Sequence, residues 1–292
     1  MDSKKKINIF TVGGGLARLF LYIWCAFSIF AFGWIILSSF KTNKEFFKNA
    51  WGLPATPQWL NYAKVFTAYH LGTNFLNSVL IVSVSVIFII AISAPAAYVL
   101  SRCSFFGNGF LNKFFTFGMG VPFQLLLVPL FFQMYSIGIV GTKLSLILIY
   151  IALSIPFTIF LIQGFFRSLP SVLEEASYID GCGPMRTFFS IMLPLGKPGL
   201  IAAAIFNFIS LWNEFLLALT FVNDSADYPL SVGLYALQGS LQYTGDWVAL
   251  FAALVVITLP TLLIYVFLSR QIIEGLTMGG REIGRASCRE RV

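Results

Sequence analysis

The fold is decided by a stretch that reads NFLNSVLIVSVSVIFIIAISAPAAYVLS, from Asn74 to Ser101, and contains no charged residue. A helix needs roughly 20 residues to cross the hydrocarbon core of a bilayer, and this stretch is longer than that. Backbone amides in lipid must find their partners within their own segment, so the stretch is predicted to be a membrane-spanning helix. The shorter alternating strands of a membrane β-barrel do not match it.

Five further stretches of this kind bring the predicted number of transmembrane helices to six. They lie at Leu19–Phe40, Phe114–Ser136, Leu144–Phe166, Pro198–Val222 and Trp247–Ser269. With 58% hydrophobic and only 11% charged residues, the chain has more apolar surface than a single water-soluble core can bury. The sequence therefore predicts an all-α, multi-pass membrane protein.

Lys and Arg residues fall mainly on one side of the predicted spans. That side comprises residues 1–18, 102–113, 167–197 and 270–292. The other side has five basic residues, at Lys41, Lys44, Lys48, Lys64 and Lys143. Because loops rich in Lys and Arg stay in the cytoplasm, both termini are predicted to be cytoplasmic. The net charge of +7 is then mainly a topology signal, and its scatter along membrane edges argues against a nucleic-acid surface.

The inside link between the fourth and fifth spans is predicted to form two short helices with an elbow. Ser171 and Glu174 have the spacing of a capping box, in which the Ser oxygen and the Glu carboxylate each accept a backbone amide at the helix start. Gly181 can supply the positive φ that ends the first helix. Pro184 is placed to begin the second helix, and Pro194 is expected to stop it.

The same link presents more apolar surface than two short helices can bury between themselves. The residues concerned are Leu173, Ala176, Ile179, Phe188, Phe189, Ile191 and Met192. Two interpretations account for this surface: the link packs beneath its own helix bundle, or it docks a partner protein. The residues alone leave both open.

The link also resembles a known signature. Glu175-Ala176-Ser177, then Gly181, then Ile191-Met192-Leu193-Pro194 is similar to the Glu-Ala-Ala, Gly and Ile-x-Leu-Pro pattern of ABC-importer permeases, with Ser177 in place of the second Ala. Four further stretches resemble carbohydrate permeases of the maltose and multiple-sugar type: Ser39–Thr42, Asn77–Ser78, Trp212–Leu219 and Gly275–Thr277.

The resemblance implies a type I importer permease fold in the bacterial inner membrane. It also implies four kinds of partner besides the lipid bilayer: a second, different permease, two copies of a cytoplasmic ABC ATPase, an extracytoplasmic sugar-binding protein, and the sugar itself. In this family the link is a coupling helix seated in the ATPase. The residues that would transmit force are Glu174, Glu175, Ala176, Asp180, Gly181 and Pro194.

The chain has no phosphate loop of the form GxxxxGK[ST]. The glycine run Gly13-Gly14-Gly15 does not have this pattern and is interpreted as a flexible stretch. We therefore expect a non-catalytic subunit without a cofactor, with ATP and Mg bound by the partner ATPase. The four cysteines show no CxxC spacing, and neither a disulfide nor a metal site is expected.

Polar residues in the fifth span suggest a second site. Glu214 is the only ionisable residue within a predicted span; it is expected to share a helix face with Asn207 and Ser210, and Asn213 precedes it. Polar groups at membrane depth usually face the bundle interior. They could line a translocation path, or they could form interhelical hydrogen bonds that hold two permease subunits together. Gln124 in the third span is a weaker candidate for the path.

The leading expectation is the permease subunit of a sugar ABC importer. The alternatives are an ABC permease for a polyol, glycerol phosphate or uronate oligomer, and an ion-coupled carrier acting alone.

The acidic stretch 223–246 is expected to be a solvated loop or a contact for an external protein. The predicted divisions are residues 1–18, a cytoplasmic N-terminus; 19–269, the transmembrane domain; 270–280, a cytoplasmic tail; and 281–292, a vector-derived or read-through tail unlike that of the family.

Overall fold

The computed structural model describes the backbone of residues 12–289 and the side chains of residues 15–268 except 16, 241 and 242. Of the predicted N-terminal and tail segments, residues 1–11 and 290–292 lie outside the described residues. The helices are α1 (Val12–Ser39), α2 (Asn43–Lys48), α3 (Leu60–Thr67), α4 (Leu71–Arg102), α5 (Asn108–Met119), α6 (Phe123–Ser136), α7 (Lys143–Ser168), α8 (Val172–Ile179), α9 (Pro184–Thr187), α10 (Leu193–Leu195), α11 (Lys197–Trp212), α12 (Leu216–Phe221), α13 (Leu230–Thr244) and α14 (Trp247–Arg289).

The all-α prediction is confirmed for the described residues, where the only β pairing is an isolated bridge between Gly141 and Val222. Within the described part of the chain, four single helices, α1, α4, α7 and α14, are long and apolar enough to cross a membrane. Two bent pairs also qualify: α5 with α6, bent by 100°, and the run Pro184–Leu195 with α11, bent by 70°. Counting each bent pair as one span gives six.

The third predicted span, 114–136, is not one continuous helix. The helix ends at Met119 and restarts at Phe123, after Pro122 in an extended conformation with φ −62° and ψ 122°. Proline donates no backbone hydrogen bond and disfavours helical backbone in the residue before it, so the chain turns here.

The fifth span was expected to run unbroken from Pro198 to Val222, and this is also wrong. Helix α11 ends at Trp212 and α12 begins at Leu216, with the backbone of the three residues between them outside any helix. The acidic stretch 223–246 is not an irregular solvated loop either, since it contains α13, where Leu230 and Val232 are buried.

The chain forms two compact units: one of residues up to Tyr69 together with Leu237–Val256, the other of His70–Ala236 and the residues from Ile257 onward. In the second unit α4 packs along α7, and α11 packs against both. Gly199 permits a close approach, because a Cβ atom there would lie 2.3 Å from Cγ of Phe165.

The first unit is held by a buried carboxylate, Asp246, which is only 4% exposed. It accepts hydrogen bonds from the Asn43 amide at 2.9 Å and the Tyr69 hydroxyl at 3.2 Å, and it pairs with the Lys64 ammonium. Burial raises the pKa of the Asp246 carboxyl, but these three partners outweigh burial and hold the pKa below its ordinary value of 3.8. The hydrogen bond to Asp246 raises the pKa of Lys64 above 10.5.

Replacement of the buried carboxylate, Asp246→Asn, should lower the free energy of unfolding by about 1–3 kcal/mol. The reason is that its three partners, the Asn43 amide, the Tyr69 hydroxyl and the Lys64 ammonium, lose a charged acceptor. The ionised Asp246 contributes fully to the free energy of unfolding above its ordinary pKa, and this contribution is lost as the pH falls through its lower folded pKa. The contribution of the charged Lys64 is lost only as the pH rises above 10.5. The deficit of the variant should therefore be constant from about pH 5 to 9 and shrink in acid, as measured by unfolding over a pH series.

The exposed carboxylate Asp224 provides the matched control, since Asp224→Asn should change stability by less than about 0.5 kcal/mol. An Asp246→Asn deficit that stayed the same at pH 3 would contradict the assignment of the stabilisation to the ionised carboxylate.

Candidate functional site

The predicted elbow is present between α8 and α9. Gly181 has a φ of +74°, as the sequence indicated, and a side chain there would be strained. The turn is closed by two backbone hydrogen bonds, from Gly181 to the Tyr178 carbonyl at 3.1 Å and from Cys182 to the Ser177 carbonyl at 2.9 Å. Asp180, Glu175 and Ala176 are exposed around this turn.

The capping box predicted at the start of α8 is wrong. Ser171 has helical backbone angles, φ −64° and ψ −26°, and its side chain makes no cap hydrogen bond. The Glu174 carboxylate turns instead toward the end of α4, where its Oε2 lies 3.7 Å from Nε of Arg102 and the Tyr98 hydroxyl is close by. An oppositely charged group and a phenol thus replace the backbone amide as partners of this carboxylate.

A buried pair of hydroxyl groups joins the two arms of the elbow. The side-chain oxygens of Ser177 and Thr187 are 2.9 Å apart, and both residues are almost fully buried. The Ser177 hydroxyl also lies 2.7 Å from the Glu174 carbonyl and donates to it. The sequence showed the Ser177 substitution in the family signature, but its partner ten positions later carried no local signal.

The apolar residues of the elbow divide between the two interpretations drawn from the sequence. Phe188 and Met192 are buried in a cluster with Tyr98 and Phe166, so part of the link packs beneath its own bundle. The rings of Tyr98 and Phe188 are 5.0 Å apart between centroids.

Other apolar side chains of the elbow remain exposed. We define its exposed apolar face by four residues that are more than half exposed: Val172, Ile179, Met185 and Phe189. Ile179 at the tip is 86% exposed. Leu173 and Ile191 are partly buried.

Pro194 does not stop the second arm of the elbow, contrary to the prediction. Residues Phe188–Met192 form a π-helical turn, in which the Leu193 amide bonds to the Phe188 carbonyl. The helical run then continues through Pro194 to Leu195, and the bend into α11 falls at Gly196.

Glu214 lies at the break in the fifth span and satisfies the start of α12. Its Oε1 accepts the Leu217 amide at 2.7 Å, and its Oε2 accepts the Ala218 amide at 3.0 Å and the Tyr150 hydroxyl at 2.8 Å. The Ser231 hydroxyl donates to its carbonyl at 2.9 Å. Because α11 has already ended, Glu214 does not continue a helical face with the polar residues before it.

The other predicted path residues differ in exposure. Asn207 is buried and its amide donates to the Thr158 hydroxyl at 2.9 Å, so it links α11 to α7 within this chain. Ser210 and Asn213 are exposed, and Gln124 is exposed in the first turn of α6. The structure therefore brings Asn207 and Glu214 into internal contacts and leaves the other three at the surface; a role in a translocation path stays a prediction for all five.

Among the residues with described side chains, no three His, Cys, Asp or Glu residues are grouped as a metal site would require. Cys25, Cys103 and Cys182 are free thiols, and the side chain of Cys288 lies outside the described residues.

The family model for a binding-protein-dependent transport system inner membrane component matches residues 89–276. The chain belongs to this family of permeases. The match covers both arms of the elbow and the broken fifth span. The resemblance that the elbow sequence showed to ABC-importer permeases is thereby confirmed, as is the prediction of a bacterial multi-pass inner-membrane protein.

Two relatives have names that state a sugar-containing solute. This permease is 39% identical over 264 residues to the diacetylchitobiose uptake system permease protein of Streptomyces coelicolor, a match that covers 90% of this chain and 87% of the relative. It is 34% identical over 248 residues to the sulfoquinovosyl glycerol transport system permease protein of Agrobacterium fabrum, covering 85% and 86%. The resemblance to carbohydrate permeases is confirmed by these relatives.

A solved structure supports the fold. The permease matches a chain of a bacterial ABC transporter involved in the import of the acidic polysaccharide alginate with a TM-score of 0.78. The match covers 89% of this chain and 96% of the other at 20% identity. The architecture is therefore that of an ABC-importer permease.

The hydroxyl pair of the elbow can be tested by a double-mutant cycle with Ser177→Ala and Thr187→Val. Each single change should destabilise the permease by about 1 kcal/mol, and the interaction energy of the cycle should be about 0.5–1.5 kcal/mol. Thermal unfolding of the purified permease measures both quantities. Ser190→Ala, in an exposed position of the same link, serves as the control. Purely additive effects would show that the two hydroxyls do not interact.

Removal of the carboxylate at the helix break, Glu214→Ala, should leave two backbone amides and the Tyr150 hydroxyl without their acceptor. We expect destabilisation by about 2–4 kcal/mol, since each unsatisfied buried donor costs about 1–3 kcal/mol and the site can relax in part. Glu214→Gln, which keeps one acceptor oxygen, should lose less. Ser210→Ala is the surface control. Equal unfolding temperatures for Glu214→Ala and Ser210→Ala would exclude this role for Glu214.

Proposed function

We propose that this permease is the translocating subunit of a bacterial sugar ABC importer, with the elbow as its attachment point for a separate ATPase. The observation that supports this most directly is the division of the elbow into a buried part and an exposed part. Phe188 and Met192 are fixed in the core, whereas the exposed apolar face is left uncovered by the described part of the chain. Because protein interiors are close-packed, a displacement of the exposed part of the elbow also displaces the core helices that contact Phe188 and Met192.

The composition of the elbow surface suits a protein partner. The exposed apolar face lies beside the exposed carboxylates Glu175 and Asp180, which gives an apolar centre with a polar rim, as in protein interfaces. The sequence contains no phosphate loop, so the ATP and Mg needed for an ABC importer belong to the ATPase. In this arrangement the elbow and both termini are cytoplasmic, which agrees with the distribution of Lys and Arg.

A sugar is the proposed solute because two relatives are permease proteins of a diacetylchitobiose uptake system and of a sulfoquinovosyl glycerol transport system. Sugar hydroxyls pair well with amide and hydroxyl groups, and Ser210, Asn213 and Gln124 expose such groups at the surface of this chain. A second permease facing them would complete the path. Asn207 and Glu214 would support this surface from within by fixing α11 and α12.

Uptake by proteoliposomes tests the proposal. The permease is reconstituted with the second permease and the ATPase from the same source, and labelled solutes are supplied together with the binding protein. The panel contains diacetylchitobiose, trehalose, a polyol, glycerol phosphate and a uronate oligomer. We expect ATP-dependent uptake of a sugar. Uptake by this chain alone, driven by an ion gradient, would overturn the proposal in favour of a carrier.

The tip of the elbow provides the variant for the same assay. Ile179→Asp places a charge in the exposed apolar face and should reduce the ATPase that copurifies with the permease at least about tenfold, the loss expected for a buried interface anchor. Ile179→Met preserves the apolar surface and should retain the ATPase. If Ile179→Asp bound the ATPase as well as Ile179→Met does, this face would not be the docking site.

A further inference from the structure

The two adjacent glutamates of the elbow point in different directions. Glu175 is exposed, whereas the Glu174 side chain is only 13% exposed and faces Arg102. We propose that Arg102 and Glu174 form the joint through which a displacement of the elbow reaches α4. Glu175 belongs to the Glu-Ala-Ala signature, which the family resemblance already assigns to the ATPase contact. The inference rests on the proposed function, because it assumes an ATPase docked on the elbow.

Arg102 is placed to connect three elements. It is the last residue of α4, and its guanidinium donates a hydrogen bond to the carbonyl of Leu169, just after α7. The same guanidinium lies against Glu174 in the first turn of α8. Its side chain is also only 13% exposed, so solvent screens these contacts weakly.

The contact between Arg102 and Glu174 is incomplete. The Arg102 Nε is buried and has no hydrogen-bond partner among the described residues, although Glu174 Oε2 is 3.7 Å away. Hydrogen bonds between a cationic nitrogen and a carboxylate are typically about 2.7–2.9 Å long. A shift of α8 toward α4 by about 1 Å would complete the bond, and a buried unsatisfied donor favours such a shift. A docked protein that presses on the elbow would therefore close this gap.

Helix α4 can convey the shift across the molecule. It has 32 residues and is about 48 Å long at 1.5 Å per residue. The helix continues through Pro95, where one internal hydrogen bond is missing. Near its other end, the Asn77 amide donates to the carbonyls of Ala226 and Tyr228 at 2.8 and 3.1 Å, and the Ser78 hydroxyl accepts the Leu230 amide at 2.7 Å. The joint at Arg102 is thus connected through one continuous helix to the segment 226–230.

The test compares neighbouring substitutions in the assembled importer. Glu174→Gln keeps the size of the side chain but removes the charge that attracts Arg102, and Glu175→Gln is the matched change one residue later. We expect Glu174→Gln to retain the ATPase with an affinity within about twofold of wild type, while solute taken up per ATP hydrolysed falls at least about fivefold. Glu175→Gln should instead weaken ATPase binding. Arg102→Gln should behave like Glu174→Gln.

Hydrogen exchange provides a second readout in the same complex. ATP should change the protection of residues 226–230 in wild type, and this response should be absent in Glu174→Gln. Glu174→Asp, which keeps the charge on a shorter side chain, should have an intermediate effect and replaces Glu174→Gln if that variant does not fold.

The outcomes separate the two proposals. If the wild-type complex transports a sugar but the Glu174 variant retains the uptake per ATP of wild type, the joint is excluded and the proposed function stands. Loss of ATPase binding in Glu174→Gln equal to that in Glu175→Gln would also overturn the division of roles. If the wild-type permease does not bind an ATPase at all, the proposed function itself is wrong.

Discussion

A peptide group in hydrocarbon has no water to bond with, and this constraint shapes the whole permease. Where the membrane-crossing chain stays helical, the backbone satisfies itself. Where it breaks, other groups must take over. At the break before α12 the Glu214 carboxylate accepts two of the amides that open the new helix. At the break before α6, Pro122 has no amide hydrogen to satisfy.

The elbow is also firmly built, although it lies outside the long helices. Its turn uses a positive-φ glycine, its arms share a buried pair of hydroxyls, and its second arm widens into a π-helical turn before Pro194. Phe188 and Met192 then fix this structure beneath α4 and α7. A rigid element with an exposed apolar face can transmit a displacement to the helices it packs against. A flexible loop would change its own conformation instead.

Features with local causes could be predicted from the sequence. The apolar stretches gave the helices, and Gly181 gave the turn of the elbow, because both depend on neighbouring residues. Two of the errors concern side chains whose partners are distant in sequence. Glu174 had a plausible local partner in Ser171 but turns to Arg102. Asp246 looked solvated but is buried and pairs with the exposed Lys64. No periodicity or spacing reports such pairings.

Glu214 and its partners also bear on how the chain enters the membrane. An acidic residue at the centre of an inserting helix costs about 2.5–3.5 kcal/mol on the scale measured for insertion by the translocon. Tyr150, which donates to this carboxylate, belongs to the preceding span and is synthesised first, and the two amides follow within four residues. When Glu214 is synthesised, Tyr150 is already present, and the Leu217 and Ala218 amides follow directly. The fourth and fifth spans are therefore suited to leave the translocon as a pair.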